Sequence, residues 1–170
     1  MIVLGLDPGT AATGFGVVLV EGGRLRAVAH GVVRTAAGDD SAARLAAIHE
    51  RVRALVEAHE PAAAAVEELF VRVNPRTILS VGEARGAALA ALGGLGVPVH
   101  AYSAPTIKSA VCGYGRADKA QVQHMVRAIL ALDELPRPDH AADALAAAIC
   151  HAQTGPMALA VLEAAGRRAR

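Results

Sequence analysis

Residues 141–149 read AADALAAAI, and no other stretch limits the fold of this chain as tightly. Apart from Asp143 they are alanine, leucine and isoleucine, apolar on every side of a helix. A helix of that kind is buried over most of its surface. The remaining chain must therefore wrap it, and 170 residues are enough for one domain with a real core. Hydrophobic residues make up 54% but aromatics only 2%, so the core is built from small and branched aliphatic side chains. Just before and within this helix stand Asp139, His140 and Asp143. Positions three and four apart share a helical face, so all three can point one way. Asp139, directly after Pro138, fits a helix N-cap. Asp143 lies a turn inside, where capping does not explain it. A buried carboxylate is costly unless it is paired or bound to a metal, which makes Asp143 a candidate functional residue.

Upstream, residues 1–7 read as a buried strand, 15–20 as a second and 24–34 as a third, joined by the turns PGTAATG and EGG. A loop with Asp40 or Ser41 as N-cap leads into an amphipathic helix over 42–59. Residues 62–67 form a short apolar strand reached through that helix, hence parallel to a strand already laid down. A helix from Pro75 to about residue 92 follows, then a strand over 97–102 and helices over 104–112 and 118–132. The helix opening at His140 comes next, and MALAVLEAAGRRAR suggests a separate last helix with a frayed basic end. The expected fold class is α/β: a mixed five-stranded sheet, three antiparallel strands then two parallel, flanked by helices. It forms one domain over residues 1–166, with residues 167–170 as an unstructured basic tail.

Asp7 ends the first strand and Glu67 the fourth. If those strands are parallel neighbours, both carboxylates emerge at the sheet edge where open α/β sheets build their sites. The helix carrying His140 and Asp143 can complete a cluster there. Such a cluster repels itself unless cations neutralise it. The formal net charge of +1 announces no nucleic-acid partner, but residues 72–137 hold eight basic residues against four acidic ones. Among 17 basic residues only Lys108 and Lys119 are lysines. No stretch has the length and purity of a membrane span, and MIVLGLDPG does not read as a signal peptide. Two cysteines, Cys112 and Cys150, suggest no disulfide framework, so a reduced, cytoplasmic setting is expected.

LGLDPGTAATGFGVV, AVEELF, GEARGAALAA, IKSAVCGYGRADKAQVQHMV and HAADALAAAI, in that order, resemble the RuvC family of Holliday junction resolvases. The resemblance spans nearly the whole chain. It implies a ribonuclease H-like fold, a homodimer, and paired nicks in opposed strands of a four-way DNA junction that leave 5′-phosphate and 3′-hydroxyl ends. It implies two divalent ions per active site, magnesium or manganese, and partnership with the RuvA and RuvB branch-migration complex. Position by position, the family's acidic residues fall on Asp7, Glu67 and Asp143. Where many members carry a further aspartate, this chain has His140, with Asp139 one place earlier; the spacing favours His140 as the fourth ligand. Manganese accepts nitrogen more readily than magnesium, so a preference for manganese is expected. Phe70 matches a position that contacts bases near the junction, and Lys108 and Lys119 match basic positions near the scissile phosphate. Arg72, Arg76 and Arg116 are further candidates for DNA contact. Two other functions are compatible with parts of the sequence. A related ribonuclease H-like nuclease could process RNA. GLDPGT also resembles the phosphate-binding turn of actin-like ATPases, which need a second lobe that 170 residues do not accommodate.

Overall fold

The computed structural model describes the backbone of residues 1–68 and 75–168, and side chains over 1–68 and 78–155. Strands β1 (Ile2–Asp7), β2 (Ala12–Glu21) and β3 (Arg24–Arg34) open the chain as an antiparallel meander. Helix α1 (Ser41–His59) starts at Asp40, whose side chain accepts from the Ala43 amide at 2.8 Å. It leads to β4 (Ala63–Glu67), which pairs parallel to β1. Helix α2 (Pro75–Gly94) and strand β5 (Val99–Tyr102) follow, with β5 parallel to β4. Helices α3 (Ala104–Cys112), α4 (Lys119–Ile129) and α5 (Asp139–Arg168) complete the chain. The strand order is β3-β2-β1-β4-β5, the mixed sheet of three antiparallel then two parallel strands expected from the sequence.

Strand periodicity divides the core in two. Leu4, Leu6, Val17, Ala64 and Val66 face α1 and α2, packing on Ile48, Val52, Ala88 and Leu92. Val3, Val18 and Ala65 face the other way, onto Leu145 and Ile149 of α5 with Ile107, Val122 and Val126 of α3 and α4. Helix α5 is thus enclosed by the sheet on one side and by two helices on the other. Residues 144–150 are at most 1% exposed. Its small side chains let it sit unusually close to the strands. A Cβ added at Gly5 would overlap the Ala144 carbonyl, and one at Gly14 would overlap the His140 carbonyl.

Four expectations are corrected. Strand β2 begins at Ala12, not at residue 15, because Thr13 is held inside the fold: its hydroxyl donates to the Gly9 carbonyl at 2.8 Å. Helix α4 ends at Ile129, not at 132, since the chain turns left-handed at Ala131 (φ 51°). No separate last helix exists, and α5 runs on through Gly155 and Pro156 to Arg168. Gly155 is a packing position there rather than a break, since a Cβ on it would meet the His151 ring at 2.6 Å. Arg167 and Arg168, expected in an unstructured tail, belong to this helix. Residues 169 and 170 lie outside the described ones. Among the described residues no helix is long and apolar enough to cross a membrane.

Candidate active site

Asp7 and Glu67 terminate β1 and β4, which pair in parallel with Leu6 opposite Val66. Their carboxyls therefore leave the sheet at one edge. Asp7 alternates with Gly5 and Glu67 with Ala65, so both lie on the α5 face. The first turn of α5 is pressed onto the same edge by the close approach at Gly14. His140 Nδ1 lies 2.6 Å from Asp7 Oδ2, so the protonated nitrogen donates to the carboxylate. Asp143, three residues on, enters from the next turn. Helix α4 begins at Lys119 because Asp118 caps it, accepting from the Gln121 amide while Gln121 accepts from the Asp118 amide. This start places Lys119 Nζ 3.9 Å from Asp143 Oδ2. Lys108 reaches in from α3. All six residues line one cleft of about 360 Å³, floored by Ala104, Ile107, Val122 and Ala146.

The charges in this cleft are in tension. Burial raises the Glu67 pKa, and repulsion from Asp7 and Asp143 raises it further, to about 7 against an ordinary 4.5; Lys108 and Lys119 oppose the rise. Asp143 is also pushed up, by burial and then by Asp7, against the pull of Lys119 and His140. Carboxyls held half-buried at mutual cost suit a site completed by a cation. Three carboxylates offer the oxygen donors that hard divalent ions take, and His140 adds a nitrogen. Among the described residues, no three acidic, histidine or cysteine side chains are drawn tightly enough to enclose an ion as they stand. The donors line the cleft wall, and their chemistry matches a divalent cation.

The other candidates fall in different places. Asp139 is turned away from the cleft, its Oδ1 accepting from Gln123 Nε2 at 2.7 Å. Arg116 is exposed in the α3–α4 loop and does not line the cleft. Phe70 and Arg72 lie outside the described residues, as does the side chain of Arg76 in the first turn of α2. One buried polar group had no spacing to announce it. His151 is 5% exposed, with Nδ1 2.7 Å from the Tyr102 hydroxyl and its ring centroid 4.5 Å from that of His100. Glycines at alternate strand positions were the legible signal for the close approach of α5, since Gly14 and Gly16 face it and Phe15 does not.

A family model described as crossover junction endodeoxyribonuclease RuvC matches residues 3–151. A protein of that description from Moorella thermoacetica is 49% identical over 98% of this chain and 100% of its own length. One from Chloroflexus aggregans is 53% identical over 92% of this chain and 95% of its own. The solved structure of Thermus thermophilus RuvC in complex with Holliday junction substrate superposes with a TM-score of 0.89 at 43% identity, covering 93% of this chain and 96% of that one.

Proposed function

The chain belongs to the RuvC family of crossover junction endodeoxyribonucleases, and from that premise we propose that it resolves four-way DNA junctions at the cleft of Asp7, Glu67, His140 and Asp143. The observation that carries the reading is the convergence of these four groups, with Lys108 and Lys119, on one cleft at the carboxyl ends of adjacent parallel strands. The reaction is hydrolysis of a phosphodiester, leaving a 5′-phosphate and a 3′-hydroxyl. Divalent metal, two ions when bound, would supply Lewis acidity to the scissile phosphate and to a water nucleophile. Asp7, Glu67 and Asp143 would hold it, with His140 as the nitrogen ligand, and the nitrogen favours manganese over magnesium.

The chain's own residues do the rest. Lys119, held beside Asp143, places its ammonium where charge develops on the scissile phosphate. Lys108 adds a second ammonium to the same cleft from α3. Phe70 stacks on a base opened at the crossover, and Arg72, Arg76 and Arg116 hold backbone phosphates. The described residues form one such cleft per chain, so two opposed nicks call for a second copy. A homodimer follows, receiving its junction from the RuvA and RuvB complex.

A mobile synthetic junction with each strand end-labelled, incubated with magnesium or manganese, tests the reading. Paired nicks in opposed strands are expected, with a linear duplex left largely uncut. Asp143→Asn should bind the junction and leave it whole. Equal cutting of duplex and junction, or near-normal cutting by Asp143→Asn, overturns it.

A further inference from the structure

We propose that Arg34 and Arg137 form a phosphate-gripping groove beside the catalytic cleft, which holds the backbone of the junction strand being cut. The proposal rests on the resolvase reading and adds a contact on the β3 side of the acids. Arg34 ends β3. Both β1 and β3 pair antiparallel with β2, so they run the same way, and Arg34 emerges at the same sheet edge as Asp7. Arg137 lies two residues ahead of α5. The two arginines line one groove with Gln123, Pro138 and Asp139.

Both guanidinium groups are exposed, and among the described residues neither takes part in an ion pair. Among the described residues Asp139 is the only carboxylate lining the groove, and one of its oxygens is engaged by Gln123. Two positive charges against one negative leave the groove basic. The planar, forked donors of arginine match phosphate oxygens.

Position gives this charge its meaning. The groove and the catalytic cleft share two elements at consecutive residues, since Gln123 follows Val122 on α4 and His140 follows Asp139 on α5. Along the sheet edge β3 stands two strands from β1, roughly 10 Å. A single DNA strand covers that distance within a few nucleotides. Lys108 lines the cleft from α3, the helix that follows β5 at the other end of the strand order. A strand crossing the edge would therefore meet cations before and after the acidic cluster that would otherwise repel it.

The test is the salt dependence of junction binding, measured under chelation so that no cutting occurs, for the wild-type chain and for Arg34→Gln/Arg137→Gln. Loss of one phosphate contact per copy should flatten the log–log slope by about 0.9 for each copy bound. Affinity near 0.15 M salt should fall about tenfold, and Arg34→Lys/Arg137→Lys should recover the slope. Arg24→Gln/Arg26→Gln, at the opposite end of β3, is the control and should match the wild type. Wild-type slope and affinity in the groove variant, or an equal loss in the control, overturn the groove while leaving resolvase activity standing. Failure of the wild-type chain to bind or cut junctions overturns the resolvase reading, and the groove falls with it.

Discussion

Glu67 holds a charge that the fold resists, and Glu67→Gln should release that resistance. With metal removed by a chelator, the folded chain keeps the Glu67 proton up to about pH 7, whereas an unperturbed carboxyl releases it near 4.5. The folded pKa is raised, so folding loses stability as pH climbs from about 4.5 to 7, and the full penalty stands above 7. The gap of about 2.5 pH decades would correspond to about 3.4 kcal/mol at full burial. Glu67 is part-exposed, and solvent screening reduces this to about 1–2 kcal/mol. Glutamine keeps the shape without the charge. The variant should melt about 2–8 °C above the wild type at pH 8, using about 2–4 °C per kcal/mol for a domain of this size. The gain should vanish near pH 4.5. Millimolar magnesium or manganese should raise the wild-type melting temperature but not that of the variant, and junction cutting should be lost. A gain that is constant across pH, or a variant less stable than wild type at pH 8, would refute the assignment of repulsion and burial to this carboxyl.

Lys119→Ala should lower the single-turnover cutting rate far more than junction affinity, with only partial rescue in Lys119→Arg; full rescue would show that charge alone matters there. His140→Asp should shift metal preference from manganese toward magnesium, read as the ratio of cutting rates in the two metals, and an unchanged ratio removes His140 from the ligand set. His151 folds with its pKa lowered by burial and by His100. The unfolded chain takes its proton first, so the wild type should lose stability as pH falls below about 6.5. His151→Gln should flatten that loss in melting curves between pH 7 and 5, and identical slopes would place the sensitivity elsewhere.

The sheet and the acidic set were legible because their signals are local. An apolar run ending in an acid, repeated after one crossover helix, put Asp7 and Glu67 at neighbouring strand ends. The spacing of His140 and Asp143 put both on one helical face. Contacts between distant segments were not legible in this way. His100 and His151 stack across β5 and α5 with no shared period. Arg34 and Arg137 line one groove because β3 runs parallel to β1. Local signals also misled where packing overrode them. PGTAATG reads as all turn, yet Thr13 carries strand pairing back to Ala12 through its bond to Gly9. MALAVLEAAGRRAR reads as a separate helix, yet Gly155 accommodates the His151 ring inside one continuous helix. Ala131 takes a left-handed backbone with no glycine to signal it.

Replacing glycine with alanine is among the commonest ways to make a protein sturdier, since it restricts the unfolded chain. In this fold it should act in reverse at Gly5 and Gly14, where one methyl on either strand would collide with the carbonyls of Ala144 and His140. The helix would have to lift, and with it two of the four groups that line the cleft, while Asp7 and Glu67 stayed with the sheet. The working separation between the two halves of the site is thus gauged by side chains the strands lack. An engineer seeking a hardier version of this enzyme should start at Gly38 or Gly86, where an added Cβ meets nothing within 4 Å, and leave the bare strand positions as they are.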